Sequence, residues 1–208
     1  MSASSAGPPA LDPLLDEMVV PMATAELWRL ARETLSPTLE RAGFTQQGRR
    51  TLWLRRGSHL IHVICLSPVD SGASLTFECG VWVPILAALL TGQSSPQLRN
   101  LTMCHIRWGD CQLNSQHPLP PAGTVAAYLS QLDRIQTLGD VSAFIESDAS
   151  RSWPTSASIC ELYCAGIAVL TGSPTAFDRA EAAAAHLVGT GVWSDAANRV
   201  YAAIATLE

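Results

Sequence analysis

The chain has 208 residues, 48% of them hydrophobic, and a mean hydropathy of +0.18. A buried core is easily supplied and disorder over the full length is excluded. Thirteen basic residues against eighteen acidic ones give a net charge of −5, which disfavours a nucleic-acid binder working through an overall basic field and leaves only a local patch for that role. All thirteen basic residues are Arg, so neither a Schiff-base lysine nor a phosphate-loop lysine is available. No uninterrupted apolar run is long enough to cross a membrane.

Residues 1–13 lack the positive region and apolar core of a signal peptide, and their Ser, Ala, Gly and Pro content predicts a disordered tail. Without an export signal, Cys65, Cys79, Cys104, Cys111, Cys160 and Cys164 are expected to be reduced thiols in a cytoplasmic protein. An apolar arm over 14–22, interrupted by Pro21, precedes the first helix. Leu27, Ala31, Leu35, Leu39 and Ala42 recur every three or four residues and predict a helix over 24–42 with Thr24 as its N-cap. Pro37 falls inside it and is expected to kink it or force a restart. Gly43 fits the left-handed position that ends a helix.

The period then changes to two. Thr51–Arg56, His59–Leu66 and Ser74–Val83 read as three strands, with Gly57-Ser58 as the first hairpin turn. Leu75, Phe77, Cys79 and Val81 share one face of the third strand, and the short connections predict an antiparallel meander with helix 24–42 against that face. Ile85–Leu90 is a short apolar helix or a strand extension, and Leu101–Trp108 offers another strand. Residues 114–123, with Pro118, Pro120 and Pro121, read as a linker. Beyond it helices are predicted over 124–137, 140–147, 157–171, 174–188 and 194–206. The expected fold is α+β: an antiparallel sheet of three to five strands on a long N-terminal helix, followed by an all-helical C-terminal half. This divides the chain into a tail (1–13), a sheet domain (14–113), the linker (114–123) and a helical subdomain (124–208).

Three clusters carry candidate chemistry. Arg49, Arg50, Arg55 and Arg56 surround Trp53, a combination that can hold a phosphate and stack a base; charge on a hairpin also guards against edge-to-edge aggregation. With Arg107, the residues Arg49, Arg50, Trp53 and Arg55 form the candidate anion or ligand site. Cys104, His105, Cys111 and His117 carry metal-ligating atoms, but their spacing lacks the paired zinc pattern and Cys104 and His105 alternate in an extended chain. Neither a metal nor any other cofactor is expected. No GxSxG, HExxH or GxGxxG motif is present.

Charge is uneven along the chain. Residues 1–110 are neutral, whereas residues 111–208 hold four Arg against nine acidic residues. An acidic surface built from Glu146, Asp148, Asp178, Glu181 and Asp195, with Trp153 or Trp193 as the buried anchor, is the candidate face for a basic partner.

Gly43, Phe44 and Gly48 in a turn, Trp53, Ile61 and Val63 in the first two strands, Phe77, Gly80, Trp82 and Pro84 in the third, and Cys104 with Arg107 beyond it together resemble a bacterial domain-of-unknown-function family, number 4304, over roughly residues 25–110. Ser67-Pro68-Val69 departs from the Gln-x-Ser that members of that family often carry. The resemblance implies the fold and supplies no catalytic residue. The leading functional expectation is a non-enzymatic protein-binding domain, of the kind in which an immunity protein occludes a basic toxin or effector. The alternatives are an enzyme or small-ligand binder with a site on the sheet at Cys104, His105, Arg107 and Trp82, and a nucleic-acid-associated protein using the Arg/Trp hairpin.

Overall fold

Alternation of apolar residues along 74–82 sets the architecture, because it gives one strand two faces and each face a cover. The computed structural model describes residues 24–47, 51–69, 74–147, 153–187 and 191–206. Helix α1 (Thr24–Arg41) leads into β1 (Thr45–Gln46), β2 (Leu52–Arg56), β3 (Ile61–Val69), β4 (Ser74–Trp82), α2 (Pro84–Thr91) and β5 (Ile106–Leu113). The helical half follows as α3 (Thr124–Asp133), α4 (Leu138–Ser147), α5 (Ala157–Leu170), α6 (Ala176–Leu187) and α7 (Val192–Ile204). The fold is α+β, with a five-stranded antiparallel sheet in the order β1-β2-β3-β4-β5. Among the described residues no helix is long and apolar enough to cross a membrane.

The inner face of the sheet carries Trp53, Ile64, Leu66, Leu75, Phe77, Cys79, Val81, Ile106 and Trp108, all in one buried cluster with Leu27, Ala31, Leu35 and Leu39 of α1. The expected pairing of helix and third strand is therefore present. The same cluster takes in the helical half through Leu132, Val141, Ile145, Leu162, Ala183 and Val200. Helix α5 is buried on most of its circumference, from Leu162 to Val169, as a helix that is apolar all round must be. Arg199 of α7 donates from Nε to the Leu90 carbonyl at 2.9 Å, placing a cation at the C-terminal end of α2.

Several boundaries differ from the sequence-based expectation, each for a local reason. Helix α1 runs through Pro37, which is exposed, so the Glu33 carbonyl that loses its donor lies on the solvent side. The β2–β3 hairpin spans residues 57–60, closed by Gly57 N–H to the Leu60 carbonyl at 2.8 Å. Leu60 is buried in the inner core, which leaves His59 in the turn and starts β3 at Ile61. The last strand runs over Ile106–Leu113 instead of 101–108, because Leu101 and Cys104 turn onto the outer face and are buried there. The two-residue strand β1 was not expected. The tail, the arm over 14–22 and Gly48 lie outside the described residues.

Gly109 has φ +99, and a Cβ on it would lie 2.6 Å from the Tyr128 hydroxyl oxygen. Gly123 has φ +87 with nothing within 4 Å of that position. Gly109→Ala combines backbone strain with a steric clash, whereas Gly123→Ala carries the strain alone. Gly109→Ala is expected to cost about 2 kcal/mol or more and to exceed Gly123→Ala in urea denaturation. Equal losses would show that Tyr128 moves aside without cost.

Candidate functional site

Four of the six thiols and the imidazoles of His62 and His105 are taken up inside the fold. Cys65, Cys79, Cys104 and Cys164 are buried and Cys111 is half-buried. Burial pushes all five thiols up, which suppresses the thiolate that a nucleophile needs. All six cysteines are free. A thiol reagent is expected to count close to six in unreduced, denatured protein and to react in the native state first with Cys111 and Cys160, the two that are not fully buried. A count of about four or fewer in denaturant would establish a disulfide.

His105 accepts the Val83 N–H on Nδ1 at 3.0 Å and meets Tyr163 edge-on, with ring centroids 5.1 Å apart. Burial lowers it to about 3, so it is a neutral ring whose proton sits on Nε2. His62 is also buried. Its Nε2 donates to the Ile135 carbonyl at 2.7 Å, and its Nδ1 accepts from Arg55 at 3.2 and 2.9 Å. Burial foremost, with the Arg55 charge adding to it, lowers its pKa. The guanidinium of Arg55 also reaches Asp133 at 2.6 Å and the Ala42 carbonyl at 3.3 Å, and lies 4.9 Å from the centre of the Phe44 ring. Arg55 and His62 thus tie the hairpin to the ends of α1 and α3.

The structure separates the residues of the candidate anion site. Arg49 and Arg50 lie outside the described residues. Trp53 shares the inner face with Arg55, as alternation requires, but it is fully buried and presents no ring face to a ligand. Arg107 lies on the opposite face of the sheet. Its backbone bridges Trp153 in both directions, at 2.9 and 3.2 Å, and its guanidinium lies over the Trp153 ring at 5.4 Å. Beside it Glu78 is half-buried, and burial raises its carboxyl against the opposing pull of Arg107. Cys104 and His105 point to opposite faces, one into each buried cluster's side of the sheet. Cys111 packs against the inner core and His117 is exposed. Among the described residues no group of three His, Cys, Asp or Glu side chains is placed to hold a metal.

The chain matches no known protein family, no curated protein and no solved structure.

On the helical half, Glu146 of α4 pairs with Arg179 of α6 at 2.5 Å. Asp178 and Glu181 of α6 and Asp195 of α7 are exposed, and Asp148 lies outside the described residues. The two tryptophans proposed as anchors are engaged within the fold. Trp153 hydrogen-bonds the Tyr163 side chain and faces Arg107. Trp193 meets Tyr163 edge-on at 6.2 Å. Among the described residues the aromatic presented to solvent is Phe177, 53% exposed, with its ring edge-on to Tyr201 at 6.3 Å. Asp178 follows it in the chain, and the Glu181 charge acts on Tyr201. Sequence reasoning missed Phe177, although a signal existed. Ala176, Ala180, Ala183 and Leu187 form the buried stripe of α6, and Phe177 falls off that stripe.

Proposed function

We propose that the protein is a non-enzymatic binding domain whose α6–α7 face docks a basic protein, acting as an immunity-type inhibitor that occludes a basic toxin or effector. The observation that carries this reading is the exposed Phe177, set edge-on against half-buried Tyr201 and beside Asp178 and Glu181. An aromatic anchor inside a charged rim is how binding energy concentrates in protein interfaces, and the acidic rim selects a partner of opposite charge. Burial of four of the six thiols and of both inner imidazoles supports binding over catalysis. The nucleic-acid reading loses its stacking platform because Trp53 is buried. The resemblance to family 4304 over roughly residues 25–110 stands as a proposal beside this one and adds no activity to it.

The reading is tested by isolating salt-sensitive partners from the native host and measuring binding of the purified complex. Asp178→Arg, Glu181→Arg and Asp195→Arg combined are expected to slow association, and Phe177→Ala to speed dissociation. A partner whose affinity and salt dependence are unchanged by both variants would refute the α6–α7 docking face.

A further inference from the structure

We propose that the outer face of the sheet holds a pocket for a small organic acid, with Arg56 receiving the carboxylate. The site is remote from the protein-docking reading in chemistry and does not rest on it. Antiparallel register aligns Arg56 of β2 with Ile61 of β3, and Ile61 with Trp82 of β4. The chain after α2 crosses this end of the sheet at Gln97, and Gln47 closes the side next to β2. Together they enclose about 330 Å³, a volume at the small end of those that take organic ligands.

The charged group that lines the pocket, Arg56, asks for an anion. Arg56 is exposed and forms no ion pair with any described acidic residue, and among the described residues no acidic side chain lines the cavity. Trp82 is only 4% exposed, yet its indole N–H has no hydrogen-bond partner. That N–H is itself closed off from solvent, so Trp82 meets the cavity with the apolar surface of its ring. Two other indoles, Trp53 and Trp108, are also unpaired, but these sit in the inner core, whereas Trp82 borders the cavity. A guanidinium fork matches a carboxylate with two parallel hydrogen bonds. Leu54 and Ile61 supply an apolar wall, which fits a ligand with a hydrocarbon or aromatic body and one negative charge.

Indole N–H resonances of 15N-labelled protein read this site directly, with Trp82→Phe used to assign the Trp82 signal. Titration with benzoate is expected to move that signal saturably and to leave those of Trp53 and Trp108 in place. Arg56→Gln, a change at an exposed position, is expected to weaken benzoate binding about tenfold or more, and Arg56→Lys to retain part of it. Inorganic phosphate is the comparison anion and is expected to leave the Trp82 signal unmoved. No movement with benzoate, movement unaffected by Arg56→Gln, or an equal response to phosphate would each overturn the assignment.

Discussion

Acidification from pH 7 to about pH 4 is expected to remove about 3 kcal/mol of folding stability through His105 alone. The cause is geometric. The ring is buried between β4, β5 and Tyr163, accepts the Val83 N–H, and is lowered by burial to about 3. In the unfolded chain the same ring titrates near its ordinary value of 6.5. Between those two values the unfolded state binds a proton that the folded state refuses. Stability is therefore fully present above the unfolded value and falls as the pH drops toward the folded one. His62 acts in the same direction, because burial and Arg55 also lower it. Its protonation would turn Nδ1 from an acceptor into a donor facing a guanidinium. Asp140 deepens the loss at still lower pH, since its carboxylate is held down by the Gln136 and Thr137 N–H groups at the start of α4. Urea denaturation across this range gives the slope, and His105→Gln is expected to flatten most of it. An unchanged slope in that variant would mean that His105 is solvated in the native protein.

Phe77→Ala is expected to destabilise the fold by about 3–5 kcal/mol, the range for truncating a fully buried aromatic. Phe77 has no exposed surface. Its ring stacks on Tyr128 of α3 at 5.2 Å and 16°, and the inner-face cluster around it includes α1. The substitution removes the ring from the junction where both helices meet the sheet, and the close-packed neighbours can fill the void only in part. Thr76→Ala, one residue away on the outer face and half-buried, is expected to cost under about 1 kcal/mol. The contrast tests register, because a slip of one residue would exchange the two faces of β4. Denaturant midpoints for the pair settle it; similar losses would place Phe77 outside the core.

Local pattern was enough for most of the architecture. The alternation of Leu75, Phe77, Cys79 and Val81 specified both the strand and its buried face, since side chains in a strand alternate by geometry. Gly43 marked the end of α1 and adopts φ +83. The helices of the C-terminal half fall close to their expected spans, since Gly and Pro punctuate that stretch and apolar residues recur at helical spacing. Alternation also placed Arg55 with Trp53 and against Arg56.

Tertiary structure alone decided what those faces meet. Alternation says that Trp53 and Arg55 share a side, but only the packing of α1 and the inner core makes that side the interior. The partner that fixes Arg55 is Asp133, 78 residues away in the chain, and no local rule pairs them. The same limit hid the roles of the aromatics. Trp153 and Trp193 are large and sit in an acidic half, yet both turn inward to Tyr163, while Phe177 is left outside by the rotation of α6 on α5. The Arg56–Trp82 pocket needs three strands in register and a returning loop. Periodicity is a property of neighbouring residues and survives in the sequence, whereas burial, ion pairing and cavities are set by which distant surfaces the folded chain brings together.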